Sequence, residues 1–338
     1  MHVTEATKED AGGARPRRSL KEYVSLTLRG MAMGAADIVP GVSGGTMAFI
    51  LGIYEELLYS IRMIGQPEFL RAALRLRVKE VFKILNWPFL VAVGLGIFIS
   101  ILTLSGILEW LLVNQPVYIW SFFFGLVLAS VFTVSVRVGR WTPGAFLLLA
   151  LGSVVAYLIV GLVPAQTPNA WWFLLLSGAL ASCAMILPGI SGAFILVILG
   201  KYQYVLSAVN NRDVVTIGLV GVGAAIGLVT FAQVLSWLFK RYHDLTVAVL
   251  IGLMVGSLRK LWPWKVDVEW LKDSAGNFVL DRHGDLLVIK QANVLPDFST
   301  TAGWVETAVA LLLVLTAIAA VVLLDRLAGQ KEAAAEVA

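Results

Sequence analysis

A Pro-Gly-x-Ser-Gly break occurs twice in this chain, each time inside an apolar stretch. The first copy lies in Val39–Thr46 and the second in Leu187–Phe194, 148 residues later. The match continues downstream at the same offset, so that nine of the 23 positions from Val39 to Ile61 are identical. Proline and glycine end a helix, whereas the serine that follows is a good N-cap for a new one. Each copy therefore predicts two helices that meet at a turn within a hydrophobic segment.

The composition is that of a membrane protein. Hydrophobic residues make up 59% of the chain and charged residues only 14%, and the mean hydropathy is +0.84. Runs of about 20 apolar residues are long enough to cross a bilayer as helices. Such runs occur at 87–112, 117–136, 143–163, 214–239, 244–262 and 304–324. The sequence therefore predicts an all-α polytopic membrane protein. A single cysteine and three scattered histidines indicate neither a disulfide nor a metal site, and no cofactor is expected.

The distribution of Lys and Arg predicts the topology, because cytoplasmic connections carry the excess of these residues. Basic residues precede the first broken segment, 24–61, and follow it, so this segment begins and ends in the cytoplasm as a re-entrant hairpin. The same reasoning along the chain places both ends of the second broken segment, 171–209, outside. The two units therefore form inverted-topology repeats, as in secondary transporters and channels. Both termini are predicted to be cytoplasmic, in a protein of the inner-membrane type.

The predicted organisation follows from these spans and hairpins. In chain order the units are a disordered cytoplasmic tail (1–22), a first repeat unit (23–140) with the hairpin 24–61, an amphipathic helix 68–85 and two spans, a linking span (141–165), a second repeat unit (170–263) with the hairpin 171–209 and two spans, an extracytoplasmic loop (264–303), and a final span with a cytoplasmic tail (304–338). Within the loop, alternating segments on either side of Asp281–Asp285 suggest a small β-hairpin.

The hairpin tips are the predicted substrate site. A helix N-terminus presents free amides and a positive dipole end, which suit a phosphate or another anion. The predicted binding residues are Ser43, Gly44, Gly45, Thr46, Ser191, Gly192 and Ala193, and the turns are formed by Pro40, Gly41, Pro188 and Gly189. A purely structural role uses the same geometry, with each serine capping its own helix and the glycines allowing close helix packing.

Four charged residues are candidates for the transport mechanism. Asp37 lies at membrane depth, where a carboxylate is costly and usually functional, and it is predicted to couple a proton or to hold the hairpin. Glu55 is a candidate for gating or titration, although a solvated helix end is the simpler interpretation. Arg29 and Arg259 are predicted to meet an anionic headgroup at opposite sides of the membrane, with snorkelling or interfacial anchoring as alternatives.

Partners follow from charge and from small residues. The amphipathic segment 68–85 has basic residues beside an apolar stripe, which predicts binding to anionic membrane lipids. The pairs Gly30/Gly34 and Gly252/Gly256 predict close helix packing, either within one chain or in a homo-oligomer. Nucleic acid is not an expected partner.

The motifs around both tips resemble those of the polyprenyl-phosphate transporter family. The resemblance is carried by Gly34–Thr46, Leu51–Glu55, Ala184–Gly192 and Gly256–Pro263, and it extends over about residues 24–326. It implies a non-enzymatic transporter that returns undecaprenyl phosphate, a carrier lipid of cell-wall synthesis, to the cytoplasmic leaflet. Ala193 departs from the family pattern, in which a small hydroxyl residue is common.

Three other functions remain open at this point. Paired helix N-termini would equally suit a small-anion channel or exchanger. An intramembrane enzyme such as a lipid phosphatase lacks a nucleophile and base at useful spacing in the sequence. A purely structural membrane protein is disfavoured by the inverted repeat.

Overall fold

The computed structural model describes residues 18–38, 43–165, 167–271, 278, 286 and 288–337, with side chains through residue 323. These residues form thirteen α-helices and one two-stranded antiparallel sheet. The elements are α1 Leu20–Ile38, α2 Gly44–Ile50, α3 Tyr54–Ile64, α4 Pro67–Leu74, α5 Val78–Ile84, α6 Trp87–Asn114, α7 Pro116–Ser135, α8 Pro143–Ile159, α9 Trp171–Ile186, α10 Gly192–Ile198, α11 Tyr202–Asn210, α12 Val214–Leu261, β1 Lys265–Trp270, β2 Val288–Asn293 and α13 Thr301–Val337.

The repeat in the sequence is also a repeat of local structure. The short helices α2 and α10 have seven residues each and begin 148 residues apart, and α3 and α11 begin at Tyr54 and Tyr202, again 148 apart. A glycine with positive φ lies between α2 and α3, Gly52 at 71°, and another between α10 and α11, Gly200 at 63°. Only glycine adopts this conformation readily, so the turn after each short helix is sharp. The axes of α10 and α11 accordingly differ by 107°.

The prediction of a mostly helical, multi-pass membrane protein is confirmed. Four helices of the described chain, α6, α7, α12 and α13, are long and apolar enough to cross a bilayer, and the bent pair α10 and α11 gives a fifth candidate. The predicted span 143–163 forms the 17-residue α8, which is shorter than about 20 residues. A proline in the first turn and the Thr142 hydroxyl, which accepts a hydrogen bond from the Ala145 amide at 3.2 Å, define where α8 begins.

The runs 214–239 and 244–262, predicted as two spans, form the two parts of α12, which meet at a kink. This helix has 48 residues and is interrupted only at Tyr242, where φ is −139° and ψ is 52°. At 1.5 Å per residue it would measure about 72 Å, more than twice the roughly 30 Å of a hydrocarbon core. The kink at Tyr242 lies between the two runs, where the sequence predicts the turn from one span to the next.

Glycines bring the long helices close together within one chain. A Cβ on Gly30 or Gly34 of α1 would lie closer than 3.0 Å to the backbone of α6, and one on Gly252 or Gly256 of α12 would do so against α8. Glycine is therefore required at these positions for the observed packing. Both pairs pack helices of the same chain, so they do not support a homo-oligomer.

Two predicted segments differ in detail. The single helix expected over 68–85 is divided into α4 and α5, because Leu76 has a φ of 52° that a helix does not accommodate. Helix α1 begins at Leu20, inside the predicted tail 1–22; residues 1–17 lie outside the described residues. The loop after α12 contains an antiparallel hairpin, in which Lys265 pairs with Asn293 and Trp270 with Val288. Most of the expected inner part of this hairpin lies outside the described residues.

Candidate functional site

The two breaks lie directly against each other. The Gly189 amide donates a hydrogen bond to Thr46 Oγ1 at 2.8 Å. The hydroxyl of Ser43 is 3.3 Å from the Met185 carbonyl oxygen and 3.4 Å from that of Leu187. Ser43 and Thr46 are each only 1% exposed. The start of α2 thus packs directly against the end of α9 and the turn that leads to α10.

Small residues and one tyrosine make this approach feasible. A Cβ on Gly45 would lie 2.6 Å from the Ile186 carbonyl oxygen, so a larger residue would force the tips apart. Gly189 has a φ of 85°, and a Cβ there would lie 2.9 Å from the Leu253 carbonyl oxygen of α12. Tyr54, the first residue of α3, donates its hydroxyl to the same Ile186 carbonyl at 3.1 Å. Tyr54 was not among the predicted site residues, because only the tertiary fold brings it to the tips.

The first amides of α2 are hydrogen bonded within the hairpin. The Gly44 amide donates to Asp37 Oδ1 at 2.7 Å, the Gly45 amide to Ser43 Oγ at 3.1 Å, and the Thr46 amide to the Ser43 carbonyl at 2.9 Å. Asp37 is the last charged residue of α1, and its carboxylate rests on the positive end of α2. A carboxylate of the protein therefore occupies the place at which an external anion would meet this helix. Pro40 and Gly41 lie outside the described residues.

The second tip is arranged differently. Met185 stands at the position equivalent to Asp37, and α10 begins after Ser191 without a side-chain hydrogen bond at its N-cap. Gly192 is required sterically, since a Cβ there would lie 2.5 Å from the Ala181 carbonyl oxygen. Ala193 is exposed at the start of α10. Among the described residues, side chains therefore cap the N-terminus of α10 less completely than that of α2.

The remaining predicted residues lie away from the tip contacts. Arg29 is partly exposed and precedes Asp37 by eight residues, about 12 Å along α1. Glu55 Oε1 is 3.7 Å from His243 Nε2 at the kink of α12, and both side chains are well exposed. Arg259 donates to the Tyr157 carbonyl of α8 at 3.1 Å, with its guanidinium over the Tyr157 ring. The structure thus brings together the tips and Asp37, and places the other three charges elsewhere.

Two lysines that the sequence did not single out have unusual surroundings. Lys201 is 2% exposed, and its ammonium group donates to the Thr167 carbonyl and to Asn169 Oδ1, which ties the turn between α10 and α11 to the segment before α9. Lys265 points into the protein, with Nζ 3.6 Å from the centre of the Trp120 ring. The sequence did carry a signal for Lys201, which is a lysine next to Gly200 in an apolar stretch. The position of Lys265 depends instead on how β1 packs on α7.

No metal centre is formed in the part of the chain that the structure describes, where no three His, Cys, Asp or Glu side chains are grouped suitably. The polar groups of the tips are hydroxyls, amides and one carboxylate.

Comparison with known proteins identifies the family. Residues 33–279 match the family described as VCA0040-like, undecaprenyl phosphate translocase-like. The chain is 44% identical over 308 residues to the polyprenyl-phosphate transporter of Vibrio cholerae, covering 90% of this chain and 97% of that protein. It is 30% identical over 258 residues to the polyprenyl-phosphate transporter of Staphylococcus aureus, covering 70% and 85%. No solved structure matches it. The chain with these two paired tips therefore belongs to the polyprenyl-phosphate transporter family, which consists of transporters and not of enzymes.

Proposed function

We propose that this protein translocates undecaprenyl phosphate from the outer to the cytoplasmic leaflet of the bacterial inner membrane, where the lipid is reused in cell-envelope synthesis. The family description and the names of both relatives support this substrate class. The observation that carries the proposal is the contact between the tips, in which the buried Thr46 hydroxyl accepts the Gly189 amide. Irregular backbone at membrane depth is stable only when buried in protein or facing a wet cavity.

The two hairpin units are proposed to have opposite orientations in the membrane. Their matching element order, with α1 packed on α6 and α9 packed on α12, supports a common origin. The excess of basic residues around the first unit supports a cytoplasmic origin for α1 and, by the same rule, an outer origin for α9. Units of this kind would move against each other, so that the tips open to one leaflet at a time.

The phosphate is proposed to bind between the tips, with the lipid tail in a groove between the two units. The proposed ligands are the amides and hydroxyls of Ser43, Gly44, Gly45 and Thr46 at the first tip, and the Ser191 hydroxyl with the amides of Gly192 and Ala193 at the second. In the observed state Asp37 holds the Gly44 amide at 2.7 Å. A phosphate is a competing anion for this position, and a protonated Asp37 is a weaker acceptor. Proton uptake by Asp37 would therefore favour phosphate binding, which links the proton to transport.

Anionic lipids are the proposed partners of α4 and α5. These helices form a concave surface lined by Arg71, Arg75, Arg77 and Lys83 together with Glu68 and Glu80. Arg77 forms a salt bridge with Glu80 at 3.1 Å. The surface still has more basic than acidic residues. A basic surface beside an apolar stripe attracts anionic headgroups.

Translocation is tested in proteoliposomes that contain undecaprenyl phosphate, with a membrane-impermeant phosphatase outside. We expect wild-type protein to expose the inner-leaflet pool to the phosphatase. Gly44→Leu should abolish this exposure, because a side chain at Gly44 collides with the Asp37 carboxylate. Gly94→Leu is the matched control, since a Cβ at Gly94 meets no atom within 4 Å.

Two outcomes would contradict the proposal. One is a hydrolysed fraction equal to that of empty liposomes, both with and without an imposed pH gradient. The other is equal activity of the Gly44→Leu and Gly94→Leu variants, which would remove the tips from the mechanism. A flux of chloride or inorganic phosphate in liposomes without the lipid would instead support the small-anion channel or exchanger.

A further inference from the structure

A basic pocket lies beside the second hairpin, at the end of the molecule where α8 and α12 end and the β-hairpin begins. It has a volume of about 60 Å³, enough for several water molecules. Four cationic residues line it, namely Arg259 and Lys260 from α12, Lys265 from β1 and Lys290 from β2. Phe194, in the first turn of α10, forms the side nearest the tip. The proposed topology places this end of the molecule outside the membrane.

No acidic side chain of the described residues neutralises the positive charges in this pocket. Lys265 Nζ is buried and makes no hydrogen bond in the described structure, and it contacts the face of Trp120. Lys260 Nζ is 5.3 Å from the centre of the Phe194 ring. No carboxylate belongs to the described lining of the pocket. Burial and the neighbouring Lys260 together lower the pKa of Lys265 to about 7.

Two desolvated ammonium groups without a counter-ion are unfavourable for folding. An anion between them would supply the missing hydrogen bonds and cancel the repulsion. Arg259 is less suited to this role, because its guanidinium is held by the Tyr157 carbonyl and ring of α8. A role in binding an anionic ligand would explain why the protein places these two lysines together despite the cost to folding.

We propose that this pocket is a second anion site, which receives the phosphate monoester headgroup of the lipid on the outer side, with the Lys260 and Lys265 ammonium groups as its ligands. The inference rests on the proposed function. Phe194 links the pocket to the second tip, because it follows Gly192 by two residues in α10. A headgroup leaving the pocket would therefore arrive at the Ser191–Ala193 turn. A lysine ammonium group is a compact charge on a flexible side chain, so its hydrogen bonds to an anion can break and the anion can move on.

The site is tested on the full-length protein in nanodiscs of zwitterionic lipid, with farnesyl phosphate as the lipid-like probe and inorganic phosphate as the free anion. Binding is measured by calorimetry. We expect Lys260→Met combined with Lys265→Met to weaken farnesyl phosphate binding at least about tenfold, since two charge-assisted contacts are lost. Lys260→Arg combined with Lys265→Arg should retain binding. Lys21→Met removes a charge from the exposed start of α1 and should have no effect.

Transport supplies an independent readout. The Met variant should need a higher concentration of undecaprenyl phosphate for half-maximal transport at an unchanged maximal rate, because capture and not the tip chemistry is impaired. Gly44→Leu should abolish transport yet retain binding in the pocket. Thermal unfolding of each variant verifies that it is folded, and the single Lys265→Met variant replaces the double variant if that one fails to fold.

The possible results separate this inference from the proposed function. Equal binding and transport by the Met and wild-type proteins would overturn the pocket and leave translocation intact. Tight binding of inorganic phosphate without binding of farnesyl phosphate would overturn the lipid assignment in favour of a free-phosphate site. A wild-type protein that binds farnesyl phosphate but translocates no lipid would overturn the proposed function.

Discussion

The Asp37 carboxylate accepts a hydrogen bond from the Gly44 amide at 2.7 Å, across the break between α1 and α2. The contact closes the first hairpin on itself, since the carboxylate of the incoming helix caps the outgoing one. It also gives the tip an internal anion at the position that is proposed to bind a phosphate. Substrate and Asp37 would then compete for the same amide.

Asp37→Asn should remove the pH dependence of transport while sparing binding. The amide oxygen of an asparagine can still accept from Gly44, so the hairpin geometry is retained without the charge. Initial rates in proteoliposomes over a series of pH values test this. A variant whose rate follows pH as the wild type does would remove Asp37 from proton coupling.

Thr46→Val should destabilise the tip-to-tip contact. The valine has nearly the same shape but no oxygen to accept the buried Gly189 amide, which costs about 1–3 kcal/mol. Thermal unfolding in detergent measures the effect, and Thr46→Ser, which keeps the hydroxyl, should lie close to wild type. Equal stability of the Val and Ser variants would mean that Gly189 does not depend on this acceptor.

The sequence predicted the elements of the hairpins well, because the repeated breaks are local signals. The helices after them begin at Gly44 and Gly192, directly after the serines expected to precede them. Ser43 caps its helix as expected, whereas Ser191 does not use its side chain. Thr46 was predicted to bind the substrate, and its hydroxyl also accepts a hydrogen bond from the Gly189 amide of the other tip. Contacts of this kind depend on how two distant segments meet, which periodicity does not encode.

The failures also have local causes. The runs predicted as two spans, 214–239 and 244–262, correspond to the two parts of α12 on either side of Tyr242, although Arg241–Asp244 contains neither glycine nor proline to signal the kink. The break at Leu76 has no such signal either, as a leucine with positive φ is uncommon. The inward orientation of Lys265 follows from the packing of β1 against Trp120, so the sequence alone indicated only a lysine in a polar loop.

Asp244→Ala should lower stability more than Glu55→Gln does. The Asp244 carboxylate accepts from the Gly139 and Arg140 amides, each at 3.0 Å, and so fixes the connection between α7 and α8 to the kink of α12. Because the carboxylate is partly exposed, we expect a loss of about 1 kcal/mol. Glu55 contacts His243 at 3.7 Å on the surface, which contributes less than about 0.5 kcal/mol.

Thermal unfolding compares the two variants, and transport separates stability from gating. A Glu55→Gln protein of normal stability but altered transport would support the gating role of Glu55. Normal transport as well would leave Glu55 as a solvated helix end. A larger loss of stability in Glu55→Gln than in Asp244→Ala would contradict the assignment of the structural contact to Asp244.

Binding of farnesyl phosphate to the basic pocket should weaken as the pH rises above about 7. The pKa of Lys265 is lowered to about 7, so its ammonium group is charged below that pH and neutral above it. The phosphate gains its second negative charge above a pH of about 6. The two effects oppose each other, and together they predict the tightest binding between about pH 6 and 7.

The other charges that face Lys265 must be held constant for this test. They are Lys260 and Arg259 from α12 and Lys290 from β2. A Lys260→Arg background keeps the second ligand charged at every pH, because the guanidinium does not titrate in this range. In that background, Lys265→Met should bind more weakly and lose the decline above pH 7, whereas Lys21→Met should keep it. A decline that persists without Lys265 would assign the titration to another group and contradict the role given to this lysine.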